Sequence, residues 1–455
     1  MMKKIITTAA LLALAATMPE IALGTAAAQS VRNSSTPPPP PEEGQRRGRR
    51  DREATPAPGA NPAVSREFGA AYTPLNTATT AQDWPTANTA LAALKAVAVS
   101  PYERYLASQM EFRIASATSD TARQSLAVDG MIDSNGAPAA DATRILVAGG
   151  QLAYNAEQYA KAAERIQRAL AAGATTEGLP LLRLDALLRS NQLDPAIAYL
   201  NELVAAGTAT DQMYGIAARG LQEAGRDAEL TALLIRRTGL YPTHMNIRAT
   251  ILSYLQNAPE DRGQTIDLMR LMYRSGAMND RRYYVEYASN LVEDGLPAEA
   301  LMVVAAGRAA NLIPANDTTF REIEAGQRDK LTDDRASLPG TERRAAAAAD
   351  GRLARLAGDA YLGYENYVKA EEMYALALTK SPGESDLINT RIGITRFAAG
   401  NFAGANQAFA LVTGARAPIA RMWEGLVRER LNAASAPTPP AAPTPPAAPT
   451  PPAGG

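Results

Sequence analysis

Apolar residues between Phe68 and Asn432 recur with the period of an α-helix, and this pattern is itself repeated about every 35 residues. Tyr159, Ala162 and Ile166 illustrate the helical spacing. Runs of alternating apolar and polar residues, typical of strands, are absent from this stretch. A helical pattern repeated at this length predicts stacked units, each of which buries its apolar side against its neighbours. We therefore expect an all-α fold.

The clearest repeat lies near the C-terminus. A shift of 35 residues places Tyr367 over Phe402 and Tyr374 over Phe409, and it also pairs two alanines and two glycines. Aromatic residues make up 5 % of the chain, so two aromatic matches in one shift are informative. The first of the two aligned units carries six residues that are used below: Gly358, Tyr361, Ala370, Tyr374, Ala377 and Pro382.

These six residues occupy the six positions of the tetratricopeptide repeat (TPR) pattern, and the chain resembles an exported bacterial member of that family. The resemblance implies antiparallel helix hairpins stacked into a right-handed superhelical solenoid. It also implies a concave groove, lined by the first helix of each hairpin, that receives an extended peptide or a partner helix.

The same phase can be followed along the chain. The small or intermediate residue of the second helix is predicted at Ala87, Ala122, Ala162, Ala196, Leu230, Thr265, Ala300, Ala370 and Ala405. A large apolar residue follows four positions later, at Leu91, Leu126, Ile166, Leu200, Leu234, Met269, Val304, Tyr374 and Phe409. The wider gap between Ala300 and Ala370 leaves room for one further unit in which the pattern fails.

These positions give the predicted organisation. We expect TPR-like repeats over 68–310, a degenerate repeat or an insertion over 311–350, and further repeats with a capping helix over 351–434. Residues 331–340, LTDDRASLPG, suggest a break in the chain before a helix over 341–349. The capping helix is expected over 419–431.

The N-terminus has the composition of an export signal. Lys3 and Lys4 precede an apolar run, and the small residues that end at Ala28 suit cleavage there. We expect residues 1–28 to be removed and the mature protein to be periplasmic or secreted. No later segment is apolar enough to predict stable membrane insertion.

Two low-complexity segments flank the repeats. Residues 29–67 are predicted to be a disordered Pro/Arg-rich linker, and residues 435–455 a disordered Pro/Ala/Thr-rich tail with three copies of Ala-Pro-Thr-Pro-Pro-Ala. The linker is either merely solvated or makes a weak contact with an anionic envelope surface; export makes nucleic acid an improbable partner. The basic residues concerned are Arg46, Arg47, Arg49, Arg50 and Arg52.

The residue inventory argues against catalysis. The chain has no cysteine and a single histidine, His244, which excludes thiol chemistry and a multi-histidine metal site within one chain. The recognised nucleophile, zinc-helix and phosphate-loop motifs are absent. Carboxylate pairs such as Asp333/Asp334 are adjacent, so on a helix they point in different directions. We expect no enzymatic activity, no metal and no cofactor.

The resemblance nominates groove residues. Transferring the groove-facing positions of TPR units onto this sequence gives Arg144, Gln151, Tyr154, Asn155, Asp185, Arg189, Gln212, Arg219, Gln222, Tyr254, Asn257, Arg282, Arg352, Arg355 and Asp359. The set is polar and rich in arginine, which suits interfaces and carboxylate partners. The lysine with which some TPR grooves clamp a peptide C-terminus is missing.

These features favour a periplasmic scaffold that binds a protein or peptide of the cell envelope. Two alternatives remain open: an envelope glycan-active enzyme or its obligate subunit, and a glycan-binding module. A compact insert with buried carboxylates at 311–350 would favour the enzyme, and exposed aromatic rings in the groove would favour the glycan binder.

Overall fold

The computed structural model describes residues 62–258 and 260–435, which form helices and turns without a strand. The predicted signal peptide, most of the predicted linker with its arginines, and residues 436–455 lie outside the described residues. The chain divides after Thr208 into two compact units, each with its own apolar core. We call the described parts the N-terminal unit (62–208) and the C-terminal unit (209–435).

The N-terminal unit contains eight helices in its described residues. They are α1 (Arg66–Thr80), α2 (Trp84–Val97), α3 (Pro101–Ala117), α4 (Thr121–Asp133), α5 (Ala139–Asn155), α6 (Tyr159–Ala171), α7 (Leu179–Arg189) and α8 (Leu193–Ala205).

The C-terminal unit contains twelve α-helices in its described residues. They are α9 (Asp211–Glu223), α10 (Asp227–Leu240), α11 (His244–Asn257), α12 (Arg262–Arg274), α13 (Arg281–Glu293), α14 (Pro297–Ala309), α15 (Thr318–Ala347), α16 (Arg352–Gly363), α17 (Tyr367–Lys380), α18 (Ser385–Ala398), α19 (Phe402–Phe409) and α20 (Ala417–Ser435).

The all-α prediction is confirmed, and so is the hairpin repeat. Second helices α6, α8 and α10 begin at Tyr159, Leu193 and Asp227, a spacing of 34 residues. Helices α17 and α19 begin at Tyr367 and Phe402, which are 35 residues apart. The short turns contain left-handed residues where the chain reverses, including Gly173 and Gly400.

The packing inside a hairpin follows from the repeat pattern. The predicted alanines of α2, α6, α8, α14, α17 and α19 are fully buried. A Cβ on Gly358 would stand 2.7 Å from the ring of Tyr374, and one on Gly393 would stand 2.5 Å from that of Phe409. The small residue of the first helix thus lets the large side chain of the second pack directly on the backbone.

The predicted phase is wrong in α4. Leu126, expected in the core, is 66 % exposed, and Ala122 is exposed as well, whereas Gln124 and Val128 are buried. Asp120 caps the helix and accepts a hydrogen bond from the N–H of Arg123, which fixes where the helix begins. The buried residues therefore lie two positions beyond the predicted ones, a displacement that turns a helix by about 200°.

The predicted break at 331–340 is also wrong, because α15 is one 30-residue helix that contains Pro339. Pro339 and Arg335, four residues earlier, are both exposed, so the carbonyl group that loses its intrahelical partner faces water. Lys380 holds the C-terminal end of α15 by donating to the carbonyl groups of Ala345 and Ala346 at 2.9 and 2.7 Å.

The repeats at 352–409 pack against earlier helices of the same unit. Within α12, all seven residues from Ile266 to Met272 are buried, because α18 and α20 contact a side of α12 that its hairpin neighbours leave uncovered. Trp423 of α20 is fully buried and stacks on Phe409. The predicted capping helix is therefore part of the core of the C-terminal unit.

Candidate binding faces

Three of the predicted groove residues meet on first helices of the N-terminal unit. Tyr154 on α5 donates its hydroxyl to the carboxylate of Asp185 on α7. Arg189, one turn further along α7, donates from Nε to the same carboxylate at 2.7 Å. Its guanidinium lies 5.9 Å from the ring of Tyr154 and 5.4 Å from the ring of Tyr159. We call these four residues the tyrosine–arginine cluster.

The electrostatics of this cluster keep the Tyr154 hydroxyl and the Arg189 guanidinium protonated. Burial, the bond to Asp185 and the charge of that carboxylate raise the pKa of Tyr154, so its hydroxyl remains a donor. The Asp185 hydrogen bond raises the pKa of Arg189. The Arg189 side chain is 49 % exposed, and it borders an open cleft of about 500 Å³ that Tyr159 and Gln158 also line. The cluster is internally hydrogen-bonded and partly open to solvent.

The other predicted residues of the N-terminal unit are less concentrated. Arg144 forms an ion pair with Asp141 at 2.6 Å, one turn earlier on α5. Gln151 is half-buried and Asn155 is exposed. Sequence reasoning missed Tyr159, which begins a second helix, and its ring lies 5.3 Å from that of Tyr154 in an edge-to-face arrangement.

The first helices α9 and α13 expose four of the predicted residues of the C-terminal unit. Gln212, Arg219 and Gln222 of α9 are exposed. Arg282 of α13 has a side chain that is 78 % exposed, and it pairs with Asp280 at 3.1 Å. These side chains are available for contact.

The prediction is less accurate on α11. Tyr254 is half-buried and donates to Oε1 of Gln264 at 2.8 Å. Asn257 donates from Nδ2 to the carbonyl oxygen of Ser253 at 2.9 Å. The exposed residues of α11 include the predicted Asn257, and also Met245 and Leu252, which sequence reasoning did not nominate.

Two predicted groove residues of the 352–409 repeats are not on an open face. Asp359 is 4 % exposed. Its carboxylate accepts a hydrogen bond from the hydroxyl of Tyr374 at 2.7 Å and forms an ion pair with Arg391. Arg355 is mostly buried, and its guanidinium lies near Asp359 and Glu384. Arg352 is exposed. The assignment of Asp359 and Arg355 to an open groove is wrong. Asp359 lies against Tyr374 of its own hairpin and Arg391 of the next first helix, and Arg355 lies against Asp359 and Glu384.

A buried charge network joins these repeats to α12. Asp267 is fully buried and accepts from Arg270 at 3.0 Å and from Arg416, with Arg391 at 3.7 Å. Burial acts to raise the pKa of Asp267, but the charges of the three arginines outweigh burial and lower it. The carboxylate thus stays ionised in the interior.

The network extends to α14. Arg270 donates to both carboxylate oxygens of Glu299, at 2.8 and 2.6 Å, and the hydroxyl of Tyr287 donates to Glu299 at 2.5 Å. Three buried arginines and three buried carboxylates therefore balance in charge across the network. The residues are Arg270, Arg391, Arg416, Asp267, Glu299 and Asp359.

The described residues contain no group of three or more acidic or histidine side chains placed to hold a metal ion. Over the same residues, no helix combines the length and apolar character needed to span a bilayer. The candidate faces are the exposed polar side of α5 and α7 in the N-terminal unit and, taken separately, the exposed polar sides of α9 and α13 in the C-terminal unit.

Comparison with solved structures finds helical-repeat proteins. The structure of Naa15/Naa10 bound to HypK-THB matches with 10 % identity and a TM-score of 0.32, covering 77 % of this chain and 63 % of that one. This chain thus spans less than two thirds of that protein's length. The P58(IPK) TPR domain matches with 12 % identity and a TM-score of 0.20 over 81 % and 99 %. Yeast Tom70 matches with 10 % identity and a TM-score of 0.21 over 81 % and 90 %.

At these TM-scores the whole chains do not superpose. These neighbours therefore indicate neither a partner nor an activity for this protein. No protein-family model matches the sequence. No curated protein is significantly similar to it.

Proposed function

We propose that this protein is an exported, non-catalytic scaffold that binds a protein or peptide of the cell envelope on the exposed sides of its first helices. The observation that carries the proposal is the tyrosine–arginine cluster of α5 and α7. Tyrosine and arginine are the residues that most often anchor protein interfaces. Here hydrogen bonds to Asp185 hold both side chains before any partner arrives, so less side-chain entropy is lost on binding.

The segment 311–350 supports a scaffold over an enzyme. Helix α15 fills most of it, and its carboxylates either face solvent or are engaged with basic or tyrosine side chains. The carboxylate of Glu324 accepts hydrogen bonds from the guanidinium of Arg308 at 3.1 and 3.0 Å. The carboxylate of Asp334 accepts a hydrogen bond from the hydroxyl of Tyr364 at 2.8 Å. An acid–base site in this segment would need a compact insert with buried, unpaired carboxylates. These residues form a helix instead.

The export part of the proposal rests on residues 1–28 of the sequence, with their charged start, apolar run and small residues before Gln29. Envelope partners follow from that location.

A glycan-binding module is the second candidate, and the ring pair of Tyr154 and Tyr159 favours it. Half-exposed aromatic rings beside an arginine and a carboxylate can stack on sugar rings and bond their hydroxyls. The experiment below therefore includes a glycan arm.

The test is affinity capture from envelope extracts with immobilised residues 29–455. A face variant replaces four exposed arginines of first helices with alanine. These are Arg189, Arg219, Arg282 and Arg352. A matched control variant replaces four exposed arginines located elsewhere. These are Arg168 on α6, Arg236 on α10, and Arg321 and Arg343 on α15.

We expect the wild type and the control variant to capture the same protein, and the face variant to lose it. Capture by all three proteins would contradict the proposed face. Retention of the wild type on purified peptidoglycan, with no protein captured, would replace the scaffold with the glycan-binding candidate.

A further inference from the structure

The long helix α15 carries a line of exposed arginines that neither its packing nor the first-helix faces explain. The four residues lie seven, seven and eight positions apart, and all are exposed: Arg321, Arg328, Arg335 and Arg343. An α-helix turns by about 100° per residue, so these spacings keep the four within about 80° of one another around the helix. We call these four residues the arginine stripe.

The stripe runs along one flank of α15. The buried residues of the helix lie roughly a quarter turn away and are Phe320, Gln327, Leu338 and Ala345. From Arg321 to Arg343 the helix rises by about 33 Å. The exposed residues beside the arginines are small or uncharged, namely Ala325, Thr332, Ala336, Pro339 and Ala346. The stripe is therefore a straight line of positive charge with no bulky side chain along it.

The charge of the stripe is not neutralised within the described chain. None of its four guanidinium groups forms an ion pair with another described residue, and two acidic residues between the stripe and the buried side are bound elsewhere. Glu324 accepts hydrogen bonds from Arg308 at 3.1 and 3.0 Å. Glu342 pairs with Lys369 at 3.4 Å. The arginines therefore remain available to an acidic partner.

Other charged residues of α15 make the basic surface narrow. Glu322, Asp329 and Asp333 are exposed and lie about 80–120° from Arg321, on the side away from the core. Lys330 and Arg344 lie beyond these carboxylates. A flat anionic surface such as a membrane would meet the carboxylates together with the arginines, whereas a rod-shaped partner can contact the stripe alone.

The spacing of the stripe fits one kind of rod. Successive arginines are separated by about 10.5 Å along the helix axis. A second α-helix with aspartate or glutamate at every seventh position repeats its carboxylates at the same distance, so it can pair with all four arginines at once. The planar guanidinium group suits a carboxylate because it donates two parallel hydrogen bonds.

We propose that the arginine stripe of α15 docks an acidic α-helix of a partner protein, with carboxylates that recur about every seven residues. Each exposed ion pair contributes little, so recognition depends on the matched line of four and weakens with salt. This surface is separate from the first helices. The face variant described above retains the stripe, so the two proposals succeed or fail independently.

The experiment measures the fluorescence anisotropy of a labelled, alanine- and glutamine-based helical peptide, titrated at low salt with residues 29–455. The matched peptide carries four glutamates at the spacing of the stripe. A control peptide has the same composition, with its glutamates distributed around the helix. The stripe variant replaces the four arginines with alanine. The face variant is the matched control protein, because it also loses four exposed arginines and retains the stripe.

We expect the wild type and the face variant to bind the matched peptide equally. The stripe variant should bind it at least about tenfold more weakly, because four exposed ion pairs are lost. The wild type should also prefer the matched peptide to the control peptide by about tenfold, because only the matched spacing engages all four arginines.

Equal affinity of the wild type and the stripe variant for the matched peptide would overturn the proposal. Equal affinity of the wild type for the two peptides, or no binding at millimolar concentrations, would overturn it as well. Binding to phosphatidylglycerol vesicles that requires the stripe, without a preference between the peptides, would assign the stripe to a membrane surface instead of a helix.

Discussion

Each hairpin packs through a contact between a small residue of its first helix and a large residue of its second helix. Single residues decide the packing at this contact. Gly358 and Tyr374 make this contact between α16 and α17. The Tyr374 ring is fully buried and its hydroxyl is bonded to Asp359, so it has no room to move away. Glycine is needed here for close approach rather than for an unusual backbone conformation.

Gly358→Ala should therefore destabilise the C-terminal unit by about 1–3 kcal/mol, although alanine is the better helix former, because its Cβ would overpack the Tyr374 ring. Urea unfolding followed by Trp423 fluorescence measures this, with Trp84 replaced by phenylalanine so that one tryptophan reports. The matched control is Gly326→Ala on α15, where no atom lies within 4 Å of the new Cβ. That variant should gain about 0.5–1 kcal/mol, and a similar gain at Gly358 would refute the packing account.

Glu103 is a second residue with a predictable effect, since it joins the beginnings of two helices. Its carboxylate accepts hydrogen bonds from the N–H groups of Ser65 at 2.7 Å, Val99 at 3.0 Å and Ser100 at 2.9 Å. Burial acts to raise the pKa of Glu103, but the donors from Ser100, Ser65 and Val99 outweigh it and lower the pKa to about 2.

A pKa depressed in the folded state means that Glu103 stabilises the N-terminal unit above its ordinary pKa of 4.5 and that this stability is lost as the pH falls toward 2. Glu103→Gln should lower the unfolding free energy at pH 7 by on the order of 2–3 kcal/mol and flatten its decline between pH 4.5 and 2. Denaturant titrations monitored at Trp84, with Trp423 replaced by phenylalanine, test this. An unchanged acid profile in the variant would rule out Glu103 as the group responsible.

Among elements, the buried side was predictable for most second helices, and α4 is the exception. The buried side of a second helix follows from the alanine and the large residue four positions later, which Ala162 and Ile166 satisfy with full burial. The phase failed in α4 because a cap at Asp120 set the start of the helix, and no spacing in the sequence carried that information. The prediction of a break in α15 was wrong because a helix tolerates proline on a side that faces water, as Pro339 does.

The candidate face was predictable where first helices stay exposed. Tyr154, Asp185 and Arg189 were nominated by the TPR resemblance and do meet, whereas Tyr159 was missed because it belongs to a second helix. Asp359 was misplaced because groove positions taken from a single repeat do not show that Tyr374 and Arg391 of the same and the next hairpin bury and pair its carboxylate. The run Ile266–Met272 did contain a signal: Asp267 and Arg270 interrupt an otherwise apolar stretch three residues apart, as a buried ion pair would.

Each unit of the molecule has its own core, and the C-terminal unit adds the buried charge network. The network joins residues as distant in sequence as Asp267 and Arg416, so it links the last repeats to α12. Buried ion pairs contribute less than apolar contacts of the same volume, but breaking one leaves a charge without a partner.

Asp267→Asn should accordingly destabilise the C-terminal unit by about 3–5 kcal/mol, because three arginines would lose a fully buried counter-charge. The exposed pair Arg262–Glu293, at 2.6 Å, supplies the control. Glu293→Gln should cost less than about 1 kcal/mol in the same Trp423 unfolding assay. Equal effects of the two substitutions would mean that the network does not hold the unit together.

At the scale of the whole molecule, the central claim is that partners contact the exposed sides of first helices. The most direct measurement is photo-crosslinking in living cells with a photoreactive amino acid placed at one exposed position at a time. Asn155 on α5 and Arg219 on α9 probe the face, and Gln167 on the second helix α6 probes the other side. The account predicts one common protein adduct from positions 155 and 219 and none from 167. An adduct from 167 alone, or equal adducts from all three positions, would contradict it.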